Sequence, residues 1–429
     1  MPFLLEKKMR STLVLVLAVA LTACGGGGGG GAPPATATDN TSTTISGSKL
    51  ALTKVMDVTQ TITVVTMAVD DLNGDGLEDV VVGGWGDTND AYITIFIQNQ
   101  DGTLTNKTST LISNNVYNGS QKILIADFDN DGKKDIFFPG FNDFARCVNA
   151  NPCGSQSVML WNNSSSFIRQ DFTDKNISHG SCMHDFDGDG YIDILVGGGT
   201  NGSVGGLYLN NKNRTFTLNS SLLSNNYFST CGVIKSDNGD IAVLLGNNNQ
   251  VPGYSSNITV FDKNLNWKFD VGVGGVNTAT DLINNTVTDV NSDGQLDFVL
   301  IYNNIINGQP GAKEVWLNRG NSSWTYSSTI DNLYHNMYYT VTEIVGNLKL
   351  YYFAGGGNDG RIYSLNNGSF VSYNQDKFTT MTADVGSSTS VQTGAIYQNR
   401  STGKIFMLQL IHLLTSGGSY TSGFYVKEF

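Results

Sequence analysis

From about residue 50 onward the chain is written in short apolar runs separated by clusters of Asn, Gly, Asp and Ser. Runs of this length, bounded by turn residues, read as β-strands. One stretch shows the pattern well: strands are predicted at 181–184, 192–197, 206–210 and 215–218, with Gly/Asn/Asp breaks between them that are hairpin signals. Third strands of the same kind are predicted at 93–97, 158–161, 257–261 and 315–318. No long segment has helical period. The predicted fold class is all-β.

A polar loop recurs between the first and second strands. It reads Asp71-Leu-Asn-Gly-Asp-Gly-Leu-Glu-Asp79, then returns beginning at Asp127, Asp185 and Asp289, at intervals of 56, 58 and 104 residues. The last interval is close to twice the others, and a degenerate copy lies halfway, at 233–246, with the turn and the apolar run but without the acidic set. Similar degenerate copies follow at 342–355 and 395–408. Seven units of four antiparallel strands, repeated radially, predict a seven-bladed β-propeller. The segment 423–429 looks like a third strand with no fourth after it, and 48–53 looks like a fourth strand with no third before it. The expectation is that the N-terminal strand completes the last blade and removes exposed sheet edges.

Each loop offers carboxylates or amides at positions 1, 3, 5 and 9, with glycine at position 6. Hard oxygen donors at alternate positions suit Ca²⁺, which takes six to eight oxygens. The expected ligands are Asp71, Asn73, Asp75 and Asp79 with the Leu77 carbonyl; Asp127, Asp129, Asp131 and Asp135 with the Lys133 carbonyl; Asp185, Asp187, Asp189 and Asp193 with the Tyr191 carbonyl; and Asp289, Asn291, Asp293 and Asp297 with the Gln295 carbonyl. About four Ca²⁺ sites are expected. An EF-hand begins in the same way but needs a bidentate Glu at position 12. Position 12 here is Val82, Phe138, Val196 or Leu300, each inside a predicted strand, so the EF-hand is excluded.

These loops and strands resemble the FG-GAP/VCBS repeat proteins, the family that includes the propeller of integrin α subunits. The resemblance extends as a pattern over 48–429 and implies calcium held between an inner strand and the next. The family's Phe-Gly and Gly-Ala-Pro elements are replaced by Val82-Gly-Gly-Trp85 and Phe138-Pro-Gly-Phe141. That departure points to a distant, bacterial-type relative.

Charge adds to this picture. The net charge is −12 and the pI about 4.7. Fourteen aspartates stand in the four loops, where they repel one another unless a cation lies among them. A basic nucleic-acid footprint is absent, so no nucleic-acid partner is expected.

The front of the chain has a different composition. Lys7, Lys8 and Arg10 precede a short apolar run, too short to cross a bilayer and flanked as a signal peptide is. It ends in Leu21-Thr22-Ala23-Cys24, which resembles the lipobox of bacterial lipoproteins. That resemblance implies removal of residues 1–23 and acylation of Cys24. Residues 24–47, rich in Gly, Thr and Pro, then form a tether with a reach of roughly 25 Å. Residues 48–429 form the propeller. Gly25 is not the aspartate that retains lipoproteins at the inner membrane, so the expected place is the outer membrane of the cell envelope, through a lipid anchor.

Four further cysteines suggest two disulfides, with three pairings possible. Cys147 and Cys153 bracket a short loop, and Cys182 and Cys231 hold matching inner-strand positions in neighbouring units. Strand alternation puts the acidic loops and the third-to-fourth turns on one face. The longest insertions fall on the other, with aromatics nearby; Trp85 and Phe141 are the candidate ligand-binding rings there. No nucleophile elbow, phosphate loop or dinucleotide fingerprint occurs, and His179, His184, His335 and His412 are scattered. The expectation is a non-enzymatic, monomeric, calcium-binding adhesion module for protein or glycan partners. The alternatives are a carbohydrate-specific lectin and a polysaccharide-degrading enzyme.

Overall fold

The apolar second strands are buried on both sides. In the computed structural model Val80, Val81, Ile136, Phe137, Phe138, Ile194, Leu195, Val196, Phe298, Val299 and Leu300 are all closed off from solvent. Alternate residues of one strand face different neighbours. Val80 and Val82 pack with Tyr397, Leu408 and Phe424 of the last sheet, whereas Val81 packs with Ile136, Phe138 and Leu160 of the second. Phe137 faces Ile194 and Val196 of the third, Leu195 faces Val243 of the fourth, and Leu244 faces Phe298 and Leu300 of the fifth. A strand with a partner sheet on each face has no polar side to show, so it reads as a continuous apolar run.

The structure describes residues 44–45, 52–58, 62–86, 91–141, 155–176, 178–198, 205–222, 228–246, 257–273, 281–303, 313–329, 337–345, 348–355, 358–366, 369–372, 389–414 and 420–428. They form a seven-bladed β-propeller of antiparallel sheets, almost without helix. Blade 1 comprises Ile62–Asp70, Asp79–Gly86, Thr94–Gln98 and Leu104–Asn106. Blade 2 comprises Leu124–Ala126, Asp135–Phe138, Ser155–Asn162 and Phe167–Asn176. Blade 3 comprises Ser181–His184, Asp193–Val196, Gly206–Asn210 and Phe216–Asn219. Blade 4 comprises Thr230–Lys235, Ile241–Gly246, Asn257–Phe261 and Trp267–Gly272. Blade 5 comprises Asp281–Thr288, Asp297–Asn303, Lys313–Asn318 and Trp324–Thr329. Blade 6 comprises Met337–Val345, Leu348–Gly355, Asn358–Asn366 and Ser369–Ser372.

The last sheet draws on both ends of the described chain. Thr389–Asn399, Lys404–Leu414 and Tyr420–Glu428 are followed by Leu52–Val58, which pairs antiparallel with Tyr420–Glu428, and then by the short Thr44–Ile45. The pairing strand is therefore Leu52–Val58, displaced along the chain from the expected 48–53. The innermost strands lie side by side. Thr230–Lys235 touches both Ser181–His184 and Asp281–Thr288, and Thr389–Asn399 touches Ile62–Asp70.

Blade 1 also carries elements that local periodicity did not reveal. Ala91–Tyr92 pairs with Val116–Tyr117, and one helical turn, Thr108–Leu111, follows the outer strand. Tyr117 is buried there, its hydroxyl donating to the Gly84 carbonyl and accepting from the Gly84 amide.

The N-terminal strand contributes Val55 to the core it shares with Phe424 and Val426. One fully buried valine is worth about 1.5–3 kcal/mol. Deletion through residue 58 should therefore lower the melting temperature and promote association through the bared edge of Tyr420–Glu428. Deletion through residue 43 should do neither. Thermal melts and light scattering of the two truncations make the comparison, and equal behaviour would count against this role for Leu52–Val58.

Candidate metal centres

Each acidic loop closes around its ninth residue. Asp79, Asp135, Asp193 and Asp297 are all 0% exposed. One oxygen of each accepts the backbone N–H of loop position 2: Leu72 to Asp79 at 2.9 Å, Phe128 to Asp135 at 3.0 Å, Phe186 to Asp193 at 2.9 Å and Val290 to Asp297 at 2.8 Å. The other accepts an N–H from the end of the third strand: Gln98 at 2.9 Å, and Asn162, Asn210 and Asn318 at 2.8 Å. The carboxylate thus ties the loop to the sheet at two points.

The other positions form a nest of short-range bonds. The first aspartate takes the Gly N–H of position 6 on one oxygen, at 2.8 Å for Asp71 and Asp127, 3.0 Å for Asp185 and 2.9 Å for Asp289. Position 3 accepts from the amide of position 5, and position 5 from the amide of position 7, in all four loops. The glycine at position 6 has φ between +82° and +88°, a left-handed conformation that side chains resist. Position 4 is left-handed too, held by Gly74, Asn130, Gly188 and Ser292.

In two of the loops these bonds draw the carboxylates together. Oxygens of Asp127, Asp129 and Asp135 lie within 4.8 Å of one another, as do those of Asp185, Asp187 and Asp193. Position 5 is held separately: Asp131 by Lys133 at 2.6 Å and Asp189 by Lys212 at 3.1 Å. In the first and fourth loops an amide stands at position 3, and it donates to position 5, Asn73 to Asp75 at 2.9 Å and Asn291 to Asp293 at 2.8 Å.

Burial dominates the electrostatics. It raises Asp79 to about 7 against the pull of the Gln98 and Leu72 amides, with Asp75 and Asp71 adding to the rise. Asp135 is raised to about 7 and Asp193 to about 6, and Asp297 moves the same way, in each case first through burial. A cation among these groups would reverse the direction.

The degenerate turn of blade 4 solves the same problem internally. Asp240 receives Lys268 at 2.6 Å, Asn238 at 3.0 Å, and Ser322 from the third-to-fourth turn of blade 5 at 2.7 Å. Burial opposes its charge, but these partners outweigh it and hold its pKa below the ordinary carboxylate value.

A set of amide side chains escaped the sequence reading. Asn162 donates to the Lys134 carbonyl of its own loop and to the Leu72 carbonyl of the preceding blade, at 3.0 and 2.8 Å. Asn210 does the same with Ile192 and Phe128, at 3.0 and 2.7 Å. Gln98 bridges Glu78 and Gln398 across the seam between the last sheet and the first. Glu78 meets that seam from the other side, accepting the Gln398 amide at 2.8 Å. The signal was present as an Asn or Gln ending each of the four third strands in the acidic units.

The other sequence candidates are placed as follows. Cys182 and Cys231 form a disulfide between the inner strands of blades 3 and 4. Cys24, Cys147 and Cys153 lie outside the described residues, as does the side chain of Trp85. Phe141 is 4% exposed, with its ring edge-on to His179 at 4.7 Å, and Phe228 is buried. His184 lies half-buried beside Phe186, its pKa lowered by burial and by the charge of Lys235. His335 and the side chain of His412 lie outside the described residues.

Residues 71–138, which hold the first two acidic loops, match the family model of the FG-GAP-like repeat. No curated protein sequence matches the chain. Among solved structures the chain is similar to polysaccharide lyase Uly1, at 12% identity and a TM-score of 0.45, over 84% of this chain and 89% of that one. It is similar to Trypanosoma rangeli sialidase in complex with sialic acid, at 10% identity and a TM-score of 0.41, over 87% and 55%. It is also similar to the parainfluenza virus 5 hemagglutinin-neuraminidase ectodomain, at 6% identity and a TM-score of 0.38, over 88% and 83%.

Two outcomes follow for the metal-free protein. The four buried aspartates have raised folded pKa values, so between their ordinary value of 3.8 and about 7 the folded chain binds more protons than the unfolded one. Stability in chelator should then rise as pH falls from 7.5 toward 5; urea midpoints at several pH values make the test, and a fall would mean that the amide bonds outweigh burial. Separately, Ser292→Gly should stabilise by about 1 kcal/mol, because serine pays a left-handed penalty at a position where glycine has none. The φ of Ser292 is 61°, close to the 75° and 77° of its glycine counterparts Gly74 and Gly188. An unchanged urea midpoint would show that the loop carries no such strain.

Proposed function

We propose that this protein is a calcium-stabilised propeller of the bacterial cell envelope that acts as a binding module for protein or glycan partners. The observation that carries the reading is the convergence of aspartate oxygens in loops that share one hydrogen-bonding scheme. The donors are all hard oxygens, and their backbone is already turned by left-handed residues at positions 4 and 6. That chemistry fits Ca²⁺. Asp71, Asn73, Asp75 and Asp79 and their counterparts in the other three loops would hold it, with the carbonyls of Leu77, Lys133, Tyr191 and Gln295. When bound, the ion neutralises a crowd of carboxylates, one of them buried in each loop. Its role is structural: it holds the first two strands of a blade, and through the ninth residue the third, in register.

The long insertions that strand alternation assigns to the face opposite the acidic loops, most of which lie outside the described residues, support recognition rather than a single buried reaction centre. The lipobox-like Leu21-Thr22-Ala23-Cys24 and the glycine tether support display at a membrane, in the outer membrane on the reading of Gly25. More than one acyl chain makes such anchoring firm.

Calcium titrated into EGTA-treated protein should raise the melting temperature, each site contributing about 1.4 kcal/mol at ten times its dissociation constant. Magnesium, which prefers a small octahedral shell with retained water, should do so less. A melt unmoved by calcium would remove the metal from the proposal. A glycan array and a pull-down from envelope extracts, each with calcium and with EGTA, then separate a sugar ligand from a protein one. Retention of neither would oppose the binding role.

A further inference from the structure

The two loops with four aspartates differ in one respect that their sequences hide. In blade 3, Asp185, Asp187 and Asp193 converge, and among the described residues no basic side chain forms an ion pair with any of the three. In blade 2, the equivalent trio is Asp127, Asp129 and Asp135, and Asp129 is engaged by a cation from the next blade. Arg214 stands in the turn between Gly206–Asn210 and Phe216–Asn219 of blade 3. Its Nε donates to Asp129 Oδ2 at 2.7 Å and its Nη2 lies 2.6 Å from the same oxygen, with Asp131 at 3.8 Å. The other oxygen of Asp129 accepts the Asp131 amide at 3.1 Å. Arg214 therefore holds the Asp129 oxygen that takes no main-chain bond within the loop.

We propose that Arg214 is a resident counter-cation of the blade 2 loop, which competes with Ca²⁺ for Asp129 and so makes this site the weaker of the two four-aspartate sites. The inference rests on the calcium reading above. A guanidinium and a divalent ion on one carboxylate repel each other, so the charge of Arg214 opposes filling of the loop and favours its withdrawal. A resting place is at hand, because the guanidinium carbon already lies 5.4 Å from the centre of the buried Trp161 ring, within cation–π range. The same arginine latches blade 3 to blade 2, beside the bond from Asn130 to the Gly190 carbonyl at 2.9 Å. The residue thus has opposite effects on the two forms. It supports the metal-free ring and opposes uptake of the metal in one loop.

The test is a calcium titration of the full protein by calorimetry and by tryptophan emission, with Asp129→Asn and Asp187→Asn used to assign binding steps to loops. Trp161→Phe identifies the emission change that belongs to blade 2. In the wild type the blade 3 step should be tighter than the blade 2 step. Arg214→Met, which keeps an apolar stem over Trp161, should tighten the blade 2 step by about tenfold or more, the worth of one charge-assisted bond. It should also lower the melting temperature of the EGTA-treated protein. Arg214→Lys, which keeps the charge without the planar fork, should fall between the two and provides a second folded variant. A blade 2 step that is unchanged or weaker in both variants, with the blade 3 step present, overturns the competition and leaves the calcium reading standing. If folded wild type shows no calcium step in any loop, the calcium reading itself fails and the inference falls with it.

Discussion

The fold depends on a buried aspartate whose two oxygens each receive a main-chain amide. In four of the seven blades this residue joins the start of the acidic loop to the end of the third strand, across a span that no local turn could close. An amide side chain then fastens the loop of blade 2 or 3 to the blade before it. One carboxylate therefore organises loop, blade and blade junction together. The cost is a charge held away from water, which appears as a raised pKa in all four cases. The chain meets that cost differently from blade to blade. The acidic loops gather further oxygens that suit a cation, and blade 4 supplies Lys268 from its own outer strand.

The apolar layers impose a second, independent constraint. The second strands of blades 1 to 4 are each sandwiched between neighbouring sheets, so these blades share their cores with one another. Successive side chains along Asp79–Gly86, or along Asp193–Val196, belong to different interfaces. Loss of one blade would expose the faces of two others. The disulfide from Cys182 to Cys231 lies within the apolar layer between blades 3 and 4, whereas Asn210 and Ser322 join neighbouring blades through polar contacts.

Much of this was legible because it is periodic. The strands, the sevenfold repeat and the acidic loops each recur at near-constant spacing, and the predicted 181–184, 206–210 and 257–261 coincide with observed strands. What was missed is long-range or solitary. The bond from Asn162 to Leu72 joins residues 90 apart, and nothing in the local pattern around Asn162 names its partner. The pairing of Ala91–Tyr92 with Val116–Tyr117 occurs once among the described residues, so repetition could not reveal it. Position 9 read as one more ligand, whereas the structure gives it the additional work of clamping the sheet. Phe141 read as a candidate ligand-binding ring beside the long insertions, yet it is packed inside, edge-on to His179.

The last sheet has a consequence for the order in which the molecule can form. Leu52–Val58 finds its partner in Tyr420–Glu428, roughly 360 residues later. Blades 1 to 6 can assemble as the chain emerges, each from contiguous sequence, but this pairing must wait for the final strand. Until then the growing protein is an open arc with an unfilled strand position at its trailing end and a waiting strand at its head. Contacts of such sequence separation are slow to form, and they leave edges exposed while they do. A chain released just before residue 420 would hold six complete blades and still present that arc, with the head strand free to pair with Tyr420–Glu428 of a full-length neighbour.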